Sequence, residues 1–396
     1  MNEVSKSSKV KKFYIILGML LLLLIPIIFL DNIVSDRESY KDLAVRNVAA
    51  SWADSQTIYA PILSLNYPSD KKNPQRTLEL RNFNADISVN VEMRKKGIFH
   101  VPVYVADVSL KGDFVNPYAP LKRIKADLLF RVSDSKGFIS QPQIKFAGKD
   151  FVTVYDNEYS RVLTTSDETL PFEIKYKIRG LNNLYVEPEG QNNEINITGN
   201  WPDPSFQGDF LPAQREVTNS GFKAEWTVPA IATTSLQNPV LGASFLTPVD
   251  NYRMAIRAVK YAFLFLSLTF LSFFIFEITS EKENRIHQLQ YLMMGGAMLI
   301  FYLLLVSISE FLPFGFAYSF AAAMTIGLIG LYTYFVILKR ESKRFPVLIC
   351  AIMALLYLFL YVLLMLQDLS LIIGSFGLFL IMSLVMYSTR NVKWYN

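Results

Sequence analysis

The chain is 396 residues long, 52% of it apolar, with a formal net charge of +5 and a single cysteine, so no intramolecular disulfide can form. Residues 31–255 hold 25 Lys+Arg against 27 Asp+Glu, which leaves the basic surplus to the other 14 basic and 7 acidic residues. A segment with no basic excess offers phosphate no electrostatic footprint, which excludes a nucleic-acid binder, and it is long enough to bury a core without disulfides.

In chain order, residues 1–12 form a basic tail with Lys6, Lys9, Lys11 and Lys12, and residues 13–30 are uninterruptedly apolar. That run is too long for an ordinary signal core and no A-x-A site follows it, so we read it as an uncleaved transmembrane anchor. Lysines before a span keep the N-terminus in the cytoplasm, which makes the following domain an exported, periplasmic one. Pro26 should kink this helix locally without breaking the span. Next, Ser35 with Glu38 fits a capping box, and Tyr40, Leu43, Ala44, Val48 and Trp52 recur at helical spacing, predicting a short helix whose stripe packs on the exported domain.

From Arg81 onward the apolar period falls to two. Ile87, Val89, Val91 and Met93 alternate with polar residues, as do Val101, Val103 and Val105. Short segments of this kind, bounded by Gly, Asn, Asp and Pro, continue to residue 228 and predict a β-rich, sandwich-like domain over residues 31–255, either an antiparallel sandwich or a large twisted sheet with few helices. Residues 196–198 match a glycosylation sequon, read here as a strand and turn.

Beyond the domain lie five further apolar runs: residues 256–279, 288–309, 316–338, 345–366 and 369–389, with a cytoplasmic tail at 390–396. Each can cross a hydrocarbon core of about 30 Å. The predicted fold class is therefore an α+β membrane protein: one N-terminal anchor, a large exported β-rich domain and a C-terminal bundle of five transmembrane helices. With the N-terminus inside, the inner segments carry 12 basic residues and the short outer loops 310–315 and 367–368 none. Arg253, Arg257 and Lys260 run against this trend, at the outer end of the second span. Ser267, Thr269, Ser272, Tyr302, Ser307, Ser319, Thr325, Thr333 and Ser375 are the polar residues within the spans, a set better suited to helix packing than to a substrate pathway.

No HExxH, P-loop, strand-borne GxGxxG or metal-spaced Cys/His group is present, so no cofactor and no metal are expected. His100 and His287 lie on opposite sides of the membrane. The stretch NWPDPSFQGDF supplies a candidate interaction loop: Trp201, Asp203, Phe206, Asp209 and Phe210. Asp203, Asp209 and Glu216 could instead be paired carboxylates of a glycan-cleaving site. The alternative is a Pro- and Gly-rich loop closed by aromatic anchors, its aspartates held by turn hydrogen bonds.

The post-anchor helix with Gln56 and Pro61, the passage NWPDPSFQGDFLPAQREVTNSG, RAVKY at 257–261, FFIFE ending at Glu277, His287–Tyr291, FYLLLVSISE ending at Glu310, and Arg390–Asn391 with Trp394–Tyr395 occur in one order along the chain. Together they resemble the CreD family of bacterial inner-membrane proteins, from the first span to the last residues. Ala60, Gln288 and Phe311 depart from the family pattern, the last removing a histidine and with it a titratable group at the outer boundary. The resemblance implies a role in maintaining cell-envelope integrity, linked to a two-component stress response, and implies no reaction.

Three function classes follow: a non-catalytic envelope protein whose exported domain engages a periplasmic protein, cell-wall or lipid partner; a transporter or lipid-handling protein using the bundle; and an envelope hydrolase. The first leads; oligomeric state is open. Because an unpaired carboxylate near hydrocarbon is unfavourable, Glu310 is expected to pair with Arg257 or Lys260, and Glu277 with His287, Arg285 or a basic residue of 339–344.

Overall fold

A computed structural model describes residues 3–66, 75–150, 153–155, 158–245, 251–279, 287–337, 344–366 and 369–390. The chain divides into two compact units, Met1–Tyr40 with Val249–Asn396, and Lys41–Pro248. Elements are numbered in chain order.

The first unit is helical. α1 (Glu3–Leu22) and α2 (Leu24–Ser51) are separated by one residue. The break has a local cause: Pro26 has no N–H for the Leu22 carbonyl four residues back, and its ring crowds that carbonyl. The expected short helix starting at Ser35 is not a separate element, because nothing at Ser35 interrupts the hydrogen-bond ladder of α2. The short α3 (Ala230–Thr233) belongs to the other unit, and α4 (Asn251–Lys260) meets α5 (Ala262–Thr279) at a bend of 43°. α6 (Gln288–Ser309), α7 (Phe314–Ile337), α8 (Arg344–Met365) and α9 (Ser370–Thr389) complete the unit.

Five helices among the described residues are long and apolar enough to cross a membrane, six if the bent α4–α5 pair is one span. α6 starts at a capping box: His287 Nδ1 accepts the Leu289 amide at 3.2 Å, and Gln290 Oε1 accepts the His287 amide at 2.8 Å. Phe265, Phe270 and Phe273 of α5, Tyr291 and Met298 of α6, and Met353 and Tyr357 of α8 lie within one apolar core. Ser267, Thr269, Ser272, Ser319, Thr325 and Thr333 each donate to the carbonyl four residues earlier, so their hydroxyls are satisfied within their own helices.

The second unit is β-rich. Its largest sheet has eight strands in the order β15 (Gln214–Thr218), β16 (Gly221–Pro229), β13 (Asn192–Gly199), β4 (Leu80–Lys96), β5 (Phe99–Val115), β11 (Thr169–Leu181), β7 (Gln143–Phe146) and β8 (Lys149–Asp150). A five-stranded sheet runs β3 (Gln75–Thr77), β2 (Ile62–Asn66), β6 (Leu121–Leu129), β10 (Glu158–Thr165), β9 (Thr153–Tyr155). A four-stranded sheet runs β1 (Gln56–Tyr59), β12 (Asn183–Glu187), β17 (Leu241–Ser244), β14 (Ser205–Gly208).

The period-two pattern does what it must in β4, where Phe83, Ala85, Ile87, Val89 and Val91 are buried and Asp86, Ser88 and Asn90 exposed. Those apolar faces join Phe114, Phe130, Phe172 and Trp226 in a single core. Of the two expected arrangements the antiparallel sandwich does not hold throughout, since β4 pairs with β13 and β1 with β12 in parallel. Period two specifies which face is buried and says nothing of strand direction. The C-terminal end of α2 belongs to this unit: Val48 packs with Val101, Val103 and Leu181, and Trp52 lies under the guanidinium of Arg94, 3.6 Å from its ring centroid. Tyr40 and Leu43 of the expected stripe are exposed, and Val45 and Ala49 take their part.

Candidate functional site

Two carboxylates in the helical unit are held by the first helices. Glu277, near the end of α5, pairs with Lys12 of α1 and accepts a hydrogen bond from the Tyr291 hydroxyl of α6 at 3.0 Å. The glutamate side chain is 9% exposed and the lysine 19%. Lys12 also lies 5.6 Å from the Tyr291 ring centroid, and the rings of Phe270 and Phe273 meet Tyr291 edge-on. His287, one of the partners expected for Glu277, caps α6; Arg285, residues 339–343 and the side chain of Arg344 lie outside the described residues.

Glu310 caps the other end of α6 and pairs with Arg37 of α2 at 3.4 Å. This corrects the expected partner: among the described residues no ion pair joins Glu310 to Arg257 or Lys260. The reason lies in α4, which buries Ala255, Ala258 and Val259 in the bundle core and so turns Arg257 and Lys260 to its opposite face. Sequence reasoning paired the helices adjacent in the chain and missed that α2 stays helical past Arg37.

Between those carboxylates the bundle holds an aromatic cluster. Phe301 lies 4.7 Å from Tyr357 and 5.3 Å from Tyr318 by ring centroids, and the Tyr318 hydroxyl donates to the Tyr357 carbonyl at 2.7 Å. The buried hydroxyl of Tyr302 has no hydrogen-bond partner among the described residues.

A family model described as inner membrane protein CreD matches residues 8–395. This chain belongs to the CreD family. It is 30% identical to inner membrane protein CreD of Escherichia coli strain K12, over 98% of this chain and 94% of that one. Family membership and the apolar helices together make it a multi-pass inner membrane protein. Among solved structures, a putative nutrient binding protein of Legionella pneumophila is 8% identical over 59% of this chain and 86% of its own, with a TM-score of 0.32. An M1 zinc metallopeptidase of Deinococcus radiodurans is 16% identical over 43% of this chain and 44% of its own, at 0.24. At such scores the likeness carries neither fold nor function.

In this CreD-family chain the passage 200–211 is a strap across the β-rich unit, tied at each end. Asn200 grips β4, its Oδ1 accepting the Val91 amide at 2.7 Å and its Nδ2 donating to the Val91 carbonyl at 3.1 Å. Trp201 is half-buried, and its indole N–H donates to the Asp203 carbonyl at 3.1 Å. Phe206 meets Phe222 and Trp226 edge-on, and the Phe210 carbonyl accepts the Trp226 indole N–H at 3.0 Å. Asp209 closes the strap on Val240: its amide donates to that carbonyl at 2.7 Å, and its carboxylate accepts that amide at 2.9 Å. The Asp203 side chain is exposed, as is Leu211. The five candidate loop residues thus belong to one latch, in which the Asp209 carboxylate works on backbone.

A second acidic feature escaped the sequence reading. Glu187, only 6% exposed, ends β12, and burial holds its carboxyl above the ordinary range, partly offset by the Arg131 guanidinium. Glu189 is shifted the same way, by burial and then by the charge of Glu187. The motif VEPEG carries no period to announce this, because burial here comes from the neighbouring strand β1, whose Tyr59 pairs with Glu187 and whose ring lies 4.4 Å from Arg131.

Proposed function

We propose that this protein maintains cell-envelope integrity without catalysing a reaction, its β-rich unit lying in the periplasm and engaging an envelope partner, with both termini cytoplasmic. The observation that carries this reading is the strap 200–211. The hydrogen bonds of Asn200, Trp201, Asp209 and Phe210 tie it to itself, to β4 and β16 and to Val240, and Asp203 and Leu211 are exposed on it. A preformed, exposed surface of this kind suits recognition, because little ordering entropy is lost when a partner binds. Glycan cleavage needs two carboxylates facing one another across roughly 5 to 10 Å, and Asp209 is committed to Val240. The cytoplasmic placement of both termini is supported by the segregation of basic residues described above.

The deciding experiment is photo-crosslinking in intact cells from a photo-reactive residue at Leu211, with a second at Lys122 on β6 as the reference position. A partner captured from 211 and not from 122, and lost when Asn200→Ala loosens the strap, is the expected result. Equal capture from both positions, or hydrolysis of cell-wall glycan abolished by Asp209→Asn, would overturn the reading.

A further inference from the structure

α4 is a helix of ten residues with two chemically opposed faces. Ala255, Ala258 and Val259 are buried in the bundle core, and Met254 and Ile256 pack at its margin. On the other side stand Arg253, Arg257 and Lys260, at spacings of four and three residues that put them on one face. Arg253 and Lys260 are exposed and Arg257 half-buried. Among the described residues none of the three makes an ion pair, and the boundary carboxylate expected to answer them, Glu310, is engaged by Arg37.

The geometry of α5 explains why such a helix is tolerated. With 18 residues, α5 spans about 27 Å at 1.5 Å per residue, which nearly covers the hydrocarbon core by itself. The 43° bend at Tyr261 then carries α4 off the axis of the span. A helix at the end of a span, apolar toward the protein and cationic away from it, lies at the depth of the lipid phosphates. The geometry points to α4 as a headgroup clamp: its cationic face binds the phosphates of anionic phospholipid, of the phosphatidylglycerol or cardiolipin class. This also accounts for three basic residues that run against the segregation of positive charge along the chain. They serve to hold lipid and are not topology signals.

The test uses the full chain in non-ionic detergent, titrated with phosphatidylglycerol or phosphatidylcholine, with bound lipid read by native mass spectrometry. The wild type is expected to retain phosphatidylglycerol preferentially, and the preference to weaken as salt is raised. The triple variant Arg253→Gln/Arg257→Gln/Lys260→Gln should lose roughly fivefold of that preference per cation removed. Lys95→Gln/Lys96→Gln, on the exposed β4–β5 hairpin, should keep it. Should the triple variant not fold, Arg253→Gln alone, at an exposed position, should lower the preference part of the way. An unchanged preference in either variant, a loss of equal size in the hairpin control, or displacement of the lipid by inorganic phosphate at matched concentration would each overturn the clamp. The last outcome would mark a free-anion site.

Discussion

Lys12 and Glu277 illustrate how much a single partner matters at a membrane boundary. Removing Lys12 leaves a carboxylate that is 9% exposed with only Tyr291 to hold it, and an uncompensated buried charge is costlier than no charge at all. Lys12→Met is therefore expected to lower the unfolding free energy by about 2 kcal/mol, and Lys12→Met with Glu277→Met together by less, in a double-mutant cycle read by thermal unfolding. Additive losses would show that the pair is not coupled. Tyr302 poses the opposite case. Its hydroxyl has no described partner, so Tyr302→Phe should leave stability unchanged or raise it, whereas a tyrosine hydroxyl in a satisfied bond would be missed. Glu187 adds a pH dependence with a definite sign. A carboxyl raised in the folded state binds its proton more tightly there than in the unfolded chain, so its contribution to stability is fully present below the ordinary value of 4.5 and is lost as pH rises through its raised folded value. Glu187→Gln should stabilise the β-rich unit at neutral pH and flatten that slope in melts recorded between pH 5 and 8.

At the level of elements, the strap depends on one backbone position. Gly208 has φ of +107°, and a Cβ there would run into the Val240 carbonyl that receives the Asp209 amide. Gly208→Ala should destabilise by roughly 1–3 kcal/mol through strain at a left-handed position, and the loss should show first as faster amide exchange at Asp209 and Val240. Undisturbed exchange there would mean that the latch bends without opening. The strap was legible in part. Its aromatic anchors and its Pro and Gly content predicted a closed loop with both aspartates in turn hydrogen bonds; the Asp209 carboxylate instead accepts the Val240 amide, 31 positions away, and the Asp203 side chain is exposed. What could not be read was Asn200 reaching Val91, 109 positions away, because hydrogen bonds to another strand depend on register. The break before α2 follows the same logic in reverse: Pro26 announced it, with the interruption falling four residues earlier, at the carbonyl the ring displaces.

For the whole molecule, alternation and apolar length were strong signals, since each follows from burial alone: period two in β4 and β5, uncharged runs in α6 to α9. Sheet order, the two parallel pairings and the partner of Glu310 were hidden, because each depends on elements distant in sequence meeting in space. Reporter fusions after Arg344 and after Asn396 should be cytoplasmic, and one after Gly190 exported; an exported C-terminus would refute the six-span arrangement. The unit Lys41–Pro248 has its own core, and among its described residues the one long helix is the end of α2. Its circular dichroism should be dominated by strand, and a mainly helical spectrum would contradict the fold.

The ion pairs at Lys12 and Arg37 stand 25 residues apart along the first helices, at most about 37 Å. A lone span adapts to a thicker or thinner bilayer by tilting or sliding. A span fastened by charge to neighbours near both ends has given up that freedom, since each slip of one turn would strand a carboxylate in hydrocarbon. The bilayer must therefore deform to suit the protein. In vesicles of graded acyl-chain length, unfolding temperature should pass through a narrow maximum, and substitutions that unfasten either end should broaden it.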